Sequence, residues 1–239
     1  MREFLIFTLA APIASFGGVA GNERRGTMDR PGHSLVLGLL GAALGLERDD
    51  PDLLALSDAL HVGVSMESRT QPLRDYHTVQ TAKDRRGMRP ATRKLALEQG
   101  DPNTIITQRD YLTDVLVFVA VTVDDLGPFT LRHLADALIS PRFTLYLGRK
   151  SCPLALPVKP SVIRASSAEE AIATYVANVA SVMADCFPVS RMSSTLAVSP
   201  EIATSPVGRR EARRSRPGDR RTWSYRLLDE LVLTRGPDA

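Results

Sequence analysis

The amino-acid sequence predicts an α+β fold, a ferredoxin-like sandwich of helices on an antiparallel sheet, with a protruding basic arm and a small C-terminal β region. Three observations carry this. Runs of strand and helix character follow one another from Glu3 to Ala165 in an order that fits two strand–helix–strand halves. About thirty basic and polar residues, with Gly87, Pro90 and Gly100 among them, interrupt the two halves and read as an arm rather than a packed element. Finally, 44% of the 239 residues are hydrophobic, enough to bury a core in one large domain or two small ones.

The opening MREFLIFTLAAPIASFGG has the basic start, apolar run and small residues of a secretory signal. Glu3 near its start and the interruptions at Thr8 and Pro12 favour a buried strand, Glu3 to Leu9. A Gly- and Arg-rich loop, 16–32, is too polar to pack. Residues Ser34 to Leu46 are apolar nearly all round, the pattern of a buried helix, with Ser34 suited to its N-cap. A short helix from Asp52 to Ala59 leads into a strand, His61 to Met66. Leu73 to Val79 and the β-branched run Tyr111 to Val123 form the strands on either side of the arm, which spans about 80–108. Leu131, Leu134, Ala135 and Leu138 share one face of a helix from Pro128 to Ile139, stopped by Pro141. Val158 to Ala165 is a further strand and Ala168 to Val179 a further helix, with Ser167 as its cap. The division is a core of residues 1–165 and a region, 166–239, of one helix and weak strands around an Arg-rich segment, 208–221.

The net charge of +3 is a residue of larger opposites. Residues 69–94 carry eight Lys or Arg against two Asp, and residues 208–221 carry seven Arg against two acids, so the rest of the chain is acidic. Basic charge gathered into two segments points to a polyanionic partner. Cys152 and Cys186 are too few for a disulfide framework and no Cys/His cluster has metal spacing, so neither a zinc site nor another cofactor is expected. A reducing compartment, the cytoplasm, follows, and no apolar stretch is long enough to span a bilayer.

Two stretches carry chemistry. In YLGRKSCPL, Gly148 permits a tight turn and Arg149, Lys150 and Ser151 offer donors to phosphate, without the spacing or following helix of a nucleotide-binding P-loop. Cys152 reads as a small packed residue, since no base or oxyanion site accompanies it. In LRDYHTV, Arg74 and Tyr76 share one strand face and Asp75 and His77 the other, a set suited to stacking and guanidinium contacts with RNA. The triplet RDY recurs at Arg109-Asp110-Tyr111, so cross-strand Arg–Asp contacts would brace the base of the arm. His77, with Tyr76 and Lys83, also admits an acid/base reading for metal-independent RNA cleavage; His33 and His133 are equally available.

LAAPIASFGG, PGHSLVLGLLGAALGLERDD, LRDYHTV, RDYLTD and PRFTLYLGRKSCPL together resemble the CasD-type subunits of the type I-E CRISPR surveillance complex Cascade, members of the fifth Cas family in the RAMP superfamily. The likeness runs in order from residue 1 to about 175. Phe16-Gly17 stands where the family has Trp-Gly, and His33-Ser34-Leu35 where it tends to a basic residue, Ser and Gly.

The resemblance implies an RRM-like core with a thumb-like arm, and a non-catalytic subunit that caps the 5′ repeat-derived end of the guide RNA. Its thumb would pack on a backbone subunit, and it would contact the large PAM-reading subunit, meeting target DNA only indirectly, in antiviral defence. RNA contacts are expected from Arg25, His33 and Ser34 around the first helix; from Arg74, Tyr76, His77, Arg109 and Tyr111 at the base of the arm; from Lys83, Arg85 and Arg86 within it; and from Tyr146, Arg149, Lys150 and Ser151 in the loop. Two other readings stand beside it: an endoribonuclease using His77, and a general single-stranded RNA-binding module.

Overall fold

A computed structural model of the chain describes residues 1–18, 20–21, 23–81, 91–98, 102–125, 127–184, 195–203, 208–218 and 224–234. The elements are β1 (Arg2–Ala14), β2 (Arg24–Arg25), α1 (His33–Leu44), α2 (Pro51–Ala59), β3 (Leu60–Met66), β4 (Gln71–Thr81), α3 (Arg93–Glu98), β5 (Asn103–Val123), α4 (Leu131–Ile139), β6 (Ser161–Ala165), α5 (Ala168–Ala184), β7 (Thr195–Val198), β8 (Arg209–Pro217) and β9 (Tyr225–Thr234). The fold is mixed α and β, with one large sheet in the order β6-β1-β5-β3-β7-β9-β8 and few helices. Its neighbours along this path are antiparallel.

β1 and the second half of β5 lie side by side at the centre, Leu5 opposite Val121 and Ala11 opposite Val115. Both faces of this pair are covered, which is why each strand reads as a nearly unbroken apolar run. Leu5, Phe7, Leu9, Val117, Val119 and Val121 meet the helices α1, α2 and α4 on one face. Phe4, Ile6, Phe118 and Ala120 meet α5 on the other. There Tyr175 stacks edge-on to Phe118, its hydroxyl donating to the Lys159 carbonyl at 2.7 Å and lying 3.0 Å from Thr8 Oγ1. The amphipathic reading of α4 holds: Leu131, Leu134, Ala135 and Leu138 are its buried residues. Ser167 Oγ accepts from the Glu170 amide at the start of α5, as expected of a cap.

Three expected boundaries shift. β1 continues past Pro12, where the register with β5 skips one residue because proline has no N–H to pair. Ser34 does not cap α1: the extended residue is Gly32, the helix begins at His33, and no side chain caps it. β5 starts at Asn103 rather than Tyr111. Its first half leaves the central sheet and pairs with β4 from Gln71–Thr113 to Thr81–Asn103, a two-stranded ribbon about 35 Å long. Within the expected arm, residues 80–81 and 103–108 therefore belong to the ladder, because Thr104 to Thr107 continue the β-branched pattern, and Arg93–Glu98 forms α3.

At the far edge, the C-terminal strands are not a separate sheet: β7 pairs with β3, and β9 and β8 follow. β8 reaches back to the loop before α1 through a buried ionic cluster. Arg30, 3% exposed, donates to Glu211 (2.5 Å), Glu230 (3.2 Å) and Asp29 (2.8 Å), while Arg213 donates to Glu230 (3.3 Å) and to the Arg30 carbonyl (3.2 Å). Nearby, Arg216 donates to Asp58 at 2.8 Å. Removing one partner of such a cluster strands a desolvated charge. Glu230→Ala is expected to lower the unfolding free energy by about 3–5 kcal/mol, read by urea denaturation. A loss under about 1 kcal/mol would mean that the cluster does not fasten the hairpin.

Candidate nucleic-acid interface

The YLGRKSCPL stretch folds as a tight loop: Tyr146 bridges Pro153, the Leu147 amide donates to the Cys152 carbonyl at 2.8 Å, and the Cys152 amide to the Arg149 carbonyl at 2.8 Å. Gly148 has φ +84, and a Cβ there would lie 1.7 Å from the Ser15 carbonyl oxygen. Glycine is thus required both by the left-handed backbone and by the close approach to the end of β1. Cys152 is fully buried with a free thiol, and burial pushes its pKa up. That is the environment of a packing residue, as expected, and not of a thiolate. Cys186 lies outside the described residues.

Arg149 is committed to the protein. Its Nη1 donates to the Asp110 carbonyl (3.1 Å), its Nη2 to the carbonyls of Arg25 (2.9 Å) and Gly26 (3.4 Å), and its guanidinium sits 4.5 Å from the centroid of the Tyr111 ring. Tyr111 is 4% exposed. Burial raises its pKa, but hydrogen bonding to Ser151 and Arg149 outweighs this and holds the phenol below its ordinary value. Lys150 and Ser151 are exposed, and Tyr146 is half-buried.

The repeated RDY triplets face each other as the sequence suggested. Arg74 lies opposite Asp110 and donates to it at 2.7 Å; Asp75 lies opposite Arg109. Arg24, on the short strand β2 parallel to β5, donates to the same Asp110 carboxylate at 2.9 and 3.1 Å. Hydrogen bonding from Arg74 and then Arg24 holds the Asp110 carboxyl below the usual value. Arg24 and Asp110 were not among the expected site residues, although the second RDY was the signal for Asp110. Tyr76 is 62% exposed on the ribbon. His77 Nε2 is 2.5 Å from Asp75 Oδ2 but not aligned to bond to it. Lys83, Arg85 and Arg86 lie outside the described residues.

His33 was expected at the RNA, and here the structure corrects the sequence. It is 3% exposed, beneath the end of α2, and its Nδ1 has no hydrogen-bond partner. Desolvation first, and the charge of Arg216 second, lower its pKa to about 4, so it is a neutral packing residue at neutral pH. Helix α1 starts one residue earlier than read, which turns His33 inward and leaves Ser34 half-buried at the surface.

Ser34, Arg25, Tyr146 and Arg149 converge. They line a cavity of about 400 Å³ with Phe16, Gly17, Gly18, Leu35 and Gly38. Tyr225 closes one side, a contribution invisible in the sequence because nothing local links it to residues two hundred positions earlier. Arg109 is half-buried below, opposite Arg25 in the register of β2 and β5. The site is a groove that brings together glycines, hydroxyls, aromatic rings and cations. Such a mixture suits single-stranded nucleic acid. No group of side chains among the described residues is arranged to hold a metal ion.

The fold, one large sheet with few helices and this groove beside its first helix, places the chain among mixed α/β proteins, and comparison identifies its kind. A family model described as CRISPR-associated protein (Cas_Cas5) matches residues 4–226, and the chain belongs to that family. It is 36% identical over 185 residues to the CRISPR system Cascade subunit CasD of Escherichia coli (strain K12), spanning 73% of this chain and 78% of that one. Two solved structures share the fold. One, from a CRISPR RNA-guided surveillance complex, covers 98% of this chain and 90% of its own at 22% identity, with TM-score 0.64. The other, a Cas protein crystal structure, covers 98% and 94% at 23% identity, with TM-score 0.56.

Because the folded-state pKa of Asp110 is depressed, its stabilising contribution is complete above the ordinary value of 3.8 and is lost as pH falls through the lower folded value. The difference in melting temperature between the parent and Asp110→Asn should be constant from about pH 5 to 8 and shrink below about pH 4. A difference that persists unchanged into acid would show that Asp110 does not act as a carboxylate between Arg74 and Arg24.

Proposed function

We propose that this chain is a non-catalytic RNA-binding subunit of a type I-E Cascade complex, and that it caps the 5′ repeat-derived end of the guide RNA. The observation that carries this reading is the groove, in which Phe16-Gly17-Gly18, Ser34, Tyr146 and Gly148 from three separate segments form one surface in a chain of the Cas5 family. The similarity to a Cascade subunit over most of the chain supports the assignment to such a complex. Cytoplasmic guide RNA, the backbone subunits and the large PAM-reading subunit are the partners, and target DNA is met through them. None of the described helices is long and apolar enough to cross a membrane.

In this reading the strand order β6-β1-β5-β3 is the ferredoxin-like, RRM-like core, and the β4–β5 ribbon is the thumb. Leu73, Val79 and Ile105 remain exposed on one face of the ribbon and Tyr76 and Ile106 on the other, apolar groups suited to a neighbouring subunit. Sequence readout belongs to pairing by the guide, while this subunit holds the RNA by shape, phosphate and stacking contacts. Lys150 and Ser151 serve phosphates, Tyr146 offers a ring, and Arg149 positions the loop from behind. Binding is favoured over cleavage by the placement of His77: Tyr76 projects from the opposite face of β4, so the two do not form an acid/base pair.

The test is to purify the full chain, incubate it with labelled repeat RNA without metal, and co-express it with the neighbouring subunits and a guide. The RNA is expected to bind intact and to co-purify with the assembled subunits. Lys150→Ala should reduce the slope of log affinity against log salt by about 0.7, and Tyr146→Ala should weaken binding without changing it. Specific cleavage that disappears in His77→Ala would overturn the proposal in favour of an endoribonuclease.

A further inference from the structure

Arg213 is the one buried arginine among the described residues of the Arg-rich segment 208–217. Most of the segment's charge is already neutralised. Of the arginines of β8, Arg209 and Arg210 pair with Glu211 and Asp229, Arg213 with Glu230, and Arg216 with Asp58. Arg214 has no such partner among the described residues. It is exposed, on the opposite face of the strand from the buried Arg213, and lies opposite Leu227 of β9. At this point the register of the hairpin shifts, between Arg214 and Arg216, which adds local twist.

Arg214, Tyr225 and Leu227 border a second cavity, about 970 Å³, whose other side is formed by Phe16, Gly17 and Ser34. Those three residues and Tyr225 line the first cavity as well, so the two are one continuous trough that turns around Tyr225. Tyr225 and Leu227 are 37% and 64% exposed, leaving a ring and an aliphatic side chain beside Arg214. The wall is not loose, because the buried Arg30–Glu230–Arg213 cluster on the reverse of β8 fixes the hairpin to the loop that precedes α1.

We propose that the β8–β9 hairpin is a second wall of the RNA site, where Tyr225 stacks on a base and Arg214 contacts a phosphate of the strand leaving the first cavity. This rests on the RNA-binding reading above and adds a contact surface to it. A flexible cation alone would serve any anion; an aromatic ring at the bend of a trough, with a cation one side chain further on, suits a single strand whose bases are unstacked. The pairing of Arg209, Arg210, Arg213 and Arg216 supports the same conclusion, since it leaves Arg214 as the arginine of β8 without an acidic partner among the described residues.

The test uses the full chain and 5′-labelled single-stranded RNA of its own CRISPR repeat, with dissociation constants measured across a salt series. Tyr225→Ala is expected to bind about tenfold more weakly with an unchanged salt slope, and Tyr225→Phe to bind like the parent. Arg214→Ala should reduce the slope by about 0.7. Both side chains are exposed, so the variants should melt like the parent, and a melting curve for each confirms that they fold. If the hairpin variants bind like the parent while Tyr146→Ala and Lys150→Ala lose RNA, the second wall is refuted and the first site stands. If all four bind like the parent, the RNA reading fails and this inference fails with it. Hairpin variants that keep full RNA affinity but no longer co-purify with neighbouring subunits would assign the hairpin to a protein interface and likewise overturn the proposal.

Discussion

The groove depends on the Arg149 guanidinium more than on any other single group. It ties the loop 146–153 to β2 and to the base of the ribbon through three carbonyl oxygens, and it lies across the ring of Tyr111. β2 has only two residues and one parallel partner, too little to hold a position by ladder bonds alone. Arg149 from one side, and Arg24 to Asp110 from the other, supply the missing restraint. With β2 fixed, the glycines before it and the first turn of α1 after it are brought to face the loop. A planar group with donors in a fixed fork can serve several carbonyls while stacking on a ring; a lysine at this position would reach only one or two of them.

The same economy explains the distribution of charge. In the sequence, positive residues are concentrated in two segments and carboxylates are scattered. Folding reunites them: Asp110 comes to Arg24 and Arg74, Asp58 to Arg216, and Glu230 to Arg30 and Arg213. Arg25 and Arg214 stay exposed on the lining of the trough, and Lys150 is exposed in the neighbouring loop. Local charge counts therefore overstate how much of the basic surface is free and understate how well it is directed.

Much of the fold was legible because it obeys short-range rules. The two central strands announced themselves by unbroken apolar runs, and α4 by its four-residue face. The ribbon was underestimated because its stability comes from cross-strand pairing, which the basic composition of residues 69–94 conceals. The site divides in the same way. Gly148, Cys152 and the RDY pair were readable from local chemistry, and the structure gives each a physical reason. His33 was misread because a one-residue shift at the start of a helix moves a side chain from solvent to core. Tyr225 and Arg214 could not be found from the sequence, since only the return of β8 and β9 to the first helix makes them neighbours of the groove.

In the proposed RNA-binding subunit Arg149 holds the protein together and leaves the RNA to its neighbours, a distinction that one paired measurement resolves. Arg149→Ala is made in the full chain, melted without RNA, and titrated with repeat RNA across a salt series. Loss of its carbonyl hydrogen bonds should cost about 1–3 kcal/mol, a fall of roughly 2–10 °C in melting temperature. The RNA should then bind more weakly with the parent's salt slope. A variant that melts like the parent and loses about 0.7 from the slope would place Arg149 on a phosphate and contradict the account.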